Sequence, residues 1–173
     1  IQASLVGSEM CIRDSVIYEH NSINRKFLPK ENIDGQTLIR IWSMSKIVTI
    51  SLFMDLVEDK IVSLDDLVEE YIPEFSDLLV AADEEGTSLT LLDSMKNICP
   101  FELNKNNTKM TLRHLINHEA GFYYATTQNK CINQEMAKVN LPKAVNSDDL
   151  IERFAKLPLI QKPGDSHFYG TNT

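Results

Sequence analysis

The chain has 173 residues, of which 43% are hydrophobic and 24% are charged, a composition typical of a globular protein with a core of its own. Its 17 basic and 25 acidic residues give a net charge of −8, which argues against nucleic acid or an anionic membrane as the main partner. No stretch of the sequence approaches the roughly 18 apolar residues that would span a bilayer.

The first fifteen residues, Ile1 to Ser15, do not join smoothly to the segment after them. They are similar to a translated sequencing linker that recurs in environmental sequence collections, so we interpret residues 1–15 as a non-native leader. Because the chain begins with Ile rather than Met, we expect the natural N-terminus to be missing. The sequence therefore leaves the localisation open among periplasmic, secreted and cytoplasmic.

The next segment predicts a strand, a loop and then a long helix. Residues 16–20 have strand composition, and residues 21–35 are polar with turn residues at Asp34 and Gly35. The helix is predicted to begin near Ser43 and to run to about Lys60. Its apolar residues fill more than one stripe, which predicts that protein covers nearly its whole circumference; they stand at positions 47, 48, 50, 52, 53, 54, 56 and 57.

The first turn of this helix carries a serine and a lysine three residues apart, Ser43 and Lys46. That spacing puts both side chains on one helix face. A serine needs a base to become a nucleophile, and a lysine that is partly desolvated or near a helix N-terminus can serve as one. Backbone N–H groups at the same helix start could stabilise an oxyanion by about 3 kcal/mol per donor. The alternative interpretation is an N-cap serine followed by a snorkelling lysine.

The middle of the chain predicts short helices and a surface insertion. Residues 63–66 suggest a capped turn before a short helix that Pro73 ends, and Asp65 and Asp66 suit the N-terminus of that helix rather than a catalytic role. Residues 76–107 are mixed, with an acidic run at residues 83–86, and we expect this segment to carry a surface insertion. Thr111 is predicted to cap a helix through His118.

Two patterns could suggest metal binding or disulfide bonds. His114 and His118 stand four apart, but Phe122 occupies the place where an H-E-x-x-H motif would need its second histidine, so structural or surface roles are favoured. The three cysteines are odd in number and show no C-x-x-C pair, which favours structural thiols over a disulfide framework or a zinc site.

The last part of the chain predicts a helix and then a turn that leads to a tyrosine. Asn146 to Asp149 should open the helix, whose charged residues are interpreted as a solvated face. Lys162 to Asp165 is predicted to form a turn that leads to Tyr169. A tyrosine hydroxyl titrates near 10, so it acts as base or acid only where neighbouring cations favour the phenolate.

Four blocks of sequence, in this order, resemble the serine β-lactamase-like family, which includes class C β-lactamases, related esterases and D,D-peptidases. The blocks are Ile39–Lys46 (IRIWSMSK), Leu56–Asp66 with Tyr71–Phe75, Met110–Phe122 (MTLRHLINHEAGF) and Lys162–Gly170 (KPGDSHFYG). The resemblance implies an α+β fold in which an antiparallel sheet packs on a central catalytic helix beside a mainly helical region. Residues 16–60 would supply strands and the catalytic helix, and residues 61–173 the helical region.

The resemblance also implies the roles of the site residues. Ser43 would be the nucleophile, Lys46 its amine partner and Tyr169 the second proton-transfer group, with no cofactor or metal. The substrate would be a small-molecule ester, amide or lactam that acylates Ser43, and the oligomeric state stays open. A catalytically silent member that binds cell-wall peptides or protein partners is the alternative from another functional class.

The sequence departs from the family pattern in two places. Class C β-lactamases have Tyr-x-Asn, whereas Asn172 stands one residue later here, a spacing closer to the esterases and peptidase-like members. The chain also stops at Thr173, before the family's K-T-G-like block, so we expect an incomplete domain that is inactive and aggregation-prone by itself. An α/β-hydrolase is disfavoured because no G-x-S-x-G motif occurs. Gly164 and Ser166 fit its first part, but Phe168 occupies the position of the motif's second glycine.

Overall fold

The computed structural model describes residues 5–12, 15–23, 26, 30, 32, 34–92, 99–124 and 129–170. The chain divides into two compact units, Ile1–Ser43 and Met44–Thr173.

The N-terminal unit contains an antiparallel pair of strands, β1 (Leu5–Ile12) and β2 (Ser15–Ile23). The register places Leu5 opposite Ile23 and shifts between Met10 and Cys11. The strand predicted at residues 16–20 is confirmed as part of β2. β1 falls within residues 1–15, and the non-native origin of that segment stays a prediction.

The C-terminal unit contains five helices among its described residues. They are α1 (Ser45–Glu58), α2 (Val68–Tyr71), α3 (Leu112–Ile116), α4 (Lys130–Val139) and α5 (Ser147–Ala155). Thr111 caps α3 as predicted, with its hydroxyl accepting from the backbone N–H of His114, although this helix ends at Ile116 rather than His118. Asn146 caps α5 in the same way, through the backbone N–H of Asp149.

α2 is shorter than predicted. It begins only at Val68, after Leu67 as N-cap, so Asp65 and Asp66 precede its first turn and the prediction for these two residues was wrong. Asp65 instead forms an ion pair with Arg113, at 2.9 Å between carboxylate oxygen and guanidinium nitrogen. Asp66 accepts from the Tyr71 hydroxyl at 2.8 Å.

A second antiparallel pair, β3 (Leu79–Ala82) and β4 (Glu102–Lys105), lies in the segment predicted to be a surface insertion. β3 itself is not at the surface, because Val80 and Ala81 are almost completely buried. Leu159 forms a parallel bridge with β3: its N–H donates to the Leu79 carbonyl, and its carbonyl accepts from the Ala81 N–H. The distant segment around Leu159 thus completes the environment that buries β3.

The core consists of two hydrophobic clusters on opposite sides of three segments, which are β3, residues 121–123 and residues 159–161. Neighbouring residues along each segment point to opposite clusters, as the two-residue repeat of an extended chain requires. Val80, Phe122 and Leu159 belong to one cluster, and Ala81, Tyr123 and Ile160 to the other. The Ile160 N–H donates to the Gly121 carbonyl at 3.0 Å, so the segment at residues 121–123 is hydrogen-bonded to the segment at residues 159–161.

α1 ends at Glu58, close to the predicted Lys60, but the cover predicted for its apolar surface is not seen. Within the described residues none of its side chains is buried, and Ile47, Val48 and Leu52 are 68%, 57% and 63% exposed. None of the helices in the described ranges is both long and apolar enough to cross a membrane.

Two of the three cysteines form a disulfide bond, between Cys99 and Cys131, with their Cα atoms 5.8 Å apart. The prediction of structural thiols was therefore wrong for this pair. The bond joins the segment before β4 to the first turn of α4, across a sequence separation of 32 residues.

Candidate active site

Ser43 lies in the middle of a 3₁₀ turn, Trp42–Met44, that leads directly into α1. The N-cap of α1 is Met44, and for this helix the described residues show no side-chain capping bond. The simple interpretation of Ser43 as an N-cap serine was therefore wrong. Ser43 is an exposed residue at the end of the N-terminal unit, and its catalytic role stays a prediction.

Lys46 and Tyr169 lie together in the C-terminal unit. Lys46 is the second residue of α1 and is partly buried, and its Nζ lies 5.6 Å from the ring centroid of Tyr169. This distance is within the range of a cation–π contact. Tyr169 is 45% exposed, so the phenol is both held by the protein and open to a ligand. The structure thus brings together two of the three site residues predicted from the sequence.

Two further aromatic rings surround Tyr169. The ring centroid of His118 lies 4.5 Å from that of Tyr169, with 42° between the ring planes, and the ring of Tyr124 lies 5.7 Å away at 32°. His167 meets His118 edge-on at 5.8 Å. His118 was predicted to have a structural or surface role, and no local pattern singles out Tyr124 or His167. Their grouping depends on contacts between distant parts of the chain, which no local pattern reports.

The backbone on both sides of Tyr169 is held by the turn after α3. The Phe168 N–H donates to the His118 carbonyl at 2.7 Å, and the Gly170 N–H faces His118 Nδ1 at 3.4 Å. Further back in the same loop, the Gly164 N–H donates to the Glu119 carbonyl at 2.9 Å. The loop that carries Tyr169 is therefore attached to this turn at three points.

A buried amide, Gln161, holds the beginning of the same loop. Its side chain is completely buried, and its Oε1 accepts from the hydroxyls of Thr90 and Ser166, both at 2.7 Å. Its Nε2 donates to the carbonyls of Ser166 and, at 3.3 Å, Glu119. A buried polar side chain with all these bonds satisfied fixes the backbone around it.

Gly121 lets the two segments of this framework approach each other. Its φ is +93°, and a Cβ atom here would lie 2.5 Å from the Gln161 carbonyl oxygen and 3.1 Å from Leu159 Cβ. Only glycine combines this backbone conformation with this separation. Gly121 lies five residues after the end of α3 at Ile116, outside the helix.

A second tyrosine near the site, Tyr123, is not suited to proton transfer. Burial raises the pKa of its phenol far above the usual value of 10.0, and the negative charge of Glu135 adds to the effect. The side chain is 1% exposed. Tyr169 is therefore the better placed of the two phenols to exchange protons with a substrate.

The remaining predicted features of the site concern metals and Asn172. His114 Nδ1 accepts from the Thr111 N–H at 3.1 Å, a capping role that confirms the structural interpretation of this histidine. Across the described ranges, no three His, Cys, Asp or Glu side chains form a group that could hold a metal ion. Asn172 lies outside the described residues.

Comparison with known proteins identifies the family of the chain. The family model described as Beta-lactamase matches residues 13–173. Among curated proteins, the chain is 28% identical over 145 residues to ML-236A carboxylate methylbutanoyltransferase mlcH of Penicillium citrinum, covering 84% of this chain and 31% of that protein. It is 24% identical over 133 residues to the acyltransferase calJ of Penicillium decumbens, covering 77% of this chain and 28% of that protein.

Solved structures agree on the fold. Unliganded simvastatin synthase LovD from Aspergillus terreus matches with a TM-score of 0.61 at 22% identity, over 98% of this chain and 40% of that one. EstCE1, a hydrolase with promiscuous acyltransferase activity, matches with a TM-score of 0.63 at 20% identity, over 97% of this chain and 38% of that one. The chain thus spans about a third of the curated relatives and two fifths of these structures. The α+β fold corresponds to the N-terminal part of the β-lactamase-like fold, and the chain belongs to the beta-lactamase family.

Proposed function

We propose that this chain carries the nucleophile and the proton-transfer pair of a serine acyl-transfer enzyme. Ser43 would be the nucleophile, and Lys46 with Tyr169 would move its proton. The observation that carries the proposal is the position of Lys46 Nζ, 5.6 Å from the Tyr169 ring centroid, in a chain of the beta-lactamase family. The retention of all three residues counts against the alternative of a catalytically silent, peptide-binding member.

The reaction would proceed in two halves through an acyl-enzyme. In the first, Ser43 Oγ bonds to the carbonyl carbon of the substrate while its proton passes to the Lys46–Tyr169 pair. The bond from that carbon to the leaving oxygen or nitrogen breaks, and the leaving group takes the proton. In the second, water or an acceptor alcohol attacks the acyl carbon and gives its proton to the same pair, and Ser43 leaves with a proton restored.

The arrangement of the pair explains why two groups would share this task. The amine of Lys46 would accept the Ser43 proton, and the ammonium so formed would favour loss of the Tyr169 phenol proton to the leaving group. The partial exposure of Tyr169 leaves room for the leaving group to collect its proton. Ser43 precedes Lys46 by three residues in the sequence, a spacing that would suit direct proton transfer between them.

The acyl donor we propose is a small-molecule ester rather than a lactam. Two observations support this choice. The relatives mlcH, calJ and EstCE1 are acyltransferases and a hydrolase with acyltransferase activity. The sequence also departs from the Tyr-x-Asn spacing of class C β-lactamases, because Asn172 stands three residues after Tyr169 instead of two.

The test is covalent labelling in the full natural protein that contains these residues. A fluorophosphonate probe should label the wild type and fail to label Ser43→Ala, because only an activated serine reacts with it. Ser45→Ala, two residues away at the start of α1, is the matched control and should label normally. Labelling of Ser43→Ala at the wild-type rate would remove Ser43 from the reaction. Rapid turnover of nitrocefin together with inertness to short-chain nitrophenyl esters would overturn the choice of ester substrates.

A further inference from the structure

His118 contacts the tyrosine loop on both sides of Tyr169. Its carbonyl accepts from the N–H of the residue before, Phe168, at 2.7 Å. Its Nδ1 lies 3.4 Å from the N–H of the residue after, Gly170. Its ring lies 4.5 Å from the phenol ring between them. One residue, 52 positions from Gly170 in the sequence, therefore constrains the backbone and the ring of Tyr169 together.

The backbone of His118 is adapted to this position. After α3 ends, the His118 N–H donates to the Leu115 carbonyl at 3.2 Å, and its φ of +57° turns the chain into the left-handed conformation. This conformation is uncommon for residues other than glycine, although histidine and asparagine are enriched among the exceptions. The turn directs the His118 carbonyl and side chain toward the loop, and Glu119 continues the contact by accepting from Gly164.

The chemistry of the imidazole sets the direction of the hydrogen bond. Because Gly170 supplies an N–H donor, Nδ1 has to be the unprotonated, accepting nitrogen, which puts the ring proton on Nε2. The ring of His167 also contacts that of His118, with 74° between the ring planes. Lys46 approaches Tyr169 as well, with its Nζ 5.6 Å from the ring centroid. A shift of the tyrosine ring would therefore change its distance from the amine.

We propose that His118 is the positioning residue for Tyr169. Its carbonyl and Nδ1 hold Phe168 and Gly170, and so fix the position of the phenol relative to the amine of Lys46. The inference rests on the proposed function, because it assigns His118 a role in the reaction of Ser43. His118 itself exchanges no proton with the substrate; it acts through the placement of Tyr169.

The test measures ester turnover by His118 variants of the full natural protein that contains these residues, with a nitrophenyl butyrate ester as substrate. His118→Ala should lower kcat about ten-fold or more and leave KM within about two-fold, because a misplaced catalytic group slows the chemical step rather than binding. His118→Asn should restore kcat to within about three-fold of the wild type, since asparagine tolerates the left-handed backbone and offers an acceptor oxygen near the place of Nδ1. His118→Phe, which keeps a ring and lacks the acceptor, should behave like His118→Ala.

A double-mutant cycle distinguishes positioning from a general effect on the fold. In a Tyr169→Phe background, which has little kcat left to lose, His118→Ala should lower kcat by less than about two-fold further. His114→Ala is the matched control: this histidine caps α3 and should lower the unfolding temperature without a selective loss of kcat. If His118→Ala does not fold, the kcat values of His118→Asn and His118→Phe are compared instead, and a higher value for His118→Asn supports the positioning role.

The two proposals fail in different ways. If Tyr169→Phe lowers kcat but His118→Ala lowers it by the same factor in both backgrounds, His118 acts independently of Tyr169 and the inference is overturned alone. Equal kcat values for His118→Asn and His118→Phe would also overturn it. If Tyr169→Phe and Ser43→Ala both keep the wild-type kcat, the proposed function fails and this inference fails with it.

Discussion

Gln161 bonds Ser166 through both atoms of its side-chain amide: the Ser166 hydroxyl donates to Oε1, and Nε2 donates to the Ser166 carbonyl. The two residues stand on either side of the turn at Gly164, so the amide closes the base of the loop that carries Tyr169. The same amide bonds Thr90 and Glu119. A completely buried side chain thus joins three separate parts of the chain just before the candidate site.

Gln161→Leu should lower the free energy of unfolding by about 2 to 3 kcal/mol, because the groups that bonded the amide would lose their partner inside the protein. Leucine has a similar volume, so the change tests hydrogen bonding more than packing. Gln134→Leu, at an exposed position in α4, is the control and should have little effect. Chemical denaturation measures both variants. Equal stability of Gln161→Leu and wild type would show that the amide network contributes nothing net.

Gly121→Ala should lower the free energy of unfolding by at least about 1 kcal/mol more than Gly86→Ala does. Both glycines have a positive φ, +93° and +83°, so both substitutions carry the conformational penalty. At Gly121 the new Cβ would also lie 2.5 Å from the Gln161 carbonyl, whereas at Gly86 the nearest atom, on Asn104, is 3.5 Å away. Thermal unfolding of the two variants therefore isolates the steric effect. A larger loss for Gly86→Ala would contradict the close packing at Gly121.

Features that depend on neighbours in the sequence could be predicted. The caps at Thr111 and Asn146 result from the chemistry of a side-chain oxygen next to the first free N–H groups of a helix, a local matter. The course of α1 was indicated by a long apolar run, and the family by ordered motifs. These signals involve residues close together in the chain, so the sequence alone reports them.

Features that depend on distant partners could not be predicted. Residues 76–107 resembled an insertion because the partner of β3 at Leu159 comes much later in the chain. The bond between Cys99 and Cys131 was missed since neither cysteine shows a pairing motif. His118 was interpreted as a structural or surface histidine, because its contact with Tyr169 is made only when the last loop folds back.

The amine of Lys46 can be tested apart from its charge. Lys46→Arg keeps a positive charge near the Tyr169 ring, but a guanidinium stays protonated and cannot accept the serine proton. We expect Lys46→Arg and Lys46→Met both to lower kcat for a nitrophenyl ester by about 100-fold or more. Lys130→Met, at an exposed position, is the control for loss of a lysine. Near-normal turnover by Lys46→Arg would show that charge alone is needed and that another group takes the proton.

Asp149 offers a test of electrostatics away from the candidate site. The predicted solvated face of α5 is in part an ion pair: Arg153 Nε lies 2.8 Å from Asp149 Oδ1, and both side chains are only 26% exposed. The hydrogen bond from Arg153 lowers the pKa of the Asp149 carboxyl below its usual value of 3.8, and the bond from the Val145 N–H adds to the effect.

A carboxyl whose pKa is lower in the folded than in the unfolded state stabilises the fold at pH values above the unfolded pKa. That stability is lost as the pH falls through the folded pKa, so the relevant range lies below about pH 4. Asp149→Asn should therefore unfold at a lower temperature than the wild type at pH 7, and the difference should shrink as the pH falls through this range. Asp148→Asn, on the neighbouring exposed residue, is the matched control and should behave like the wild type at every pH. Thermal unfolding measured from pH 7 to strongly acidic buffer provides the comparison. A difference between wild type and Asp149→Asn that persists unchanged in acid would mean that the substitution disturbs packing or the helix start rather than a charge interaction.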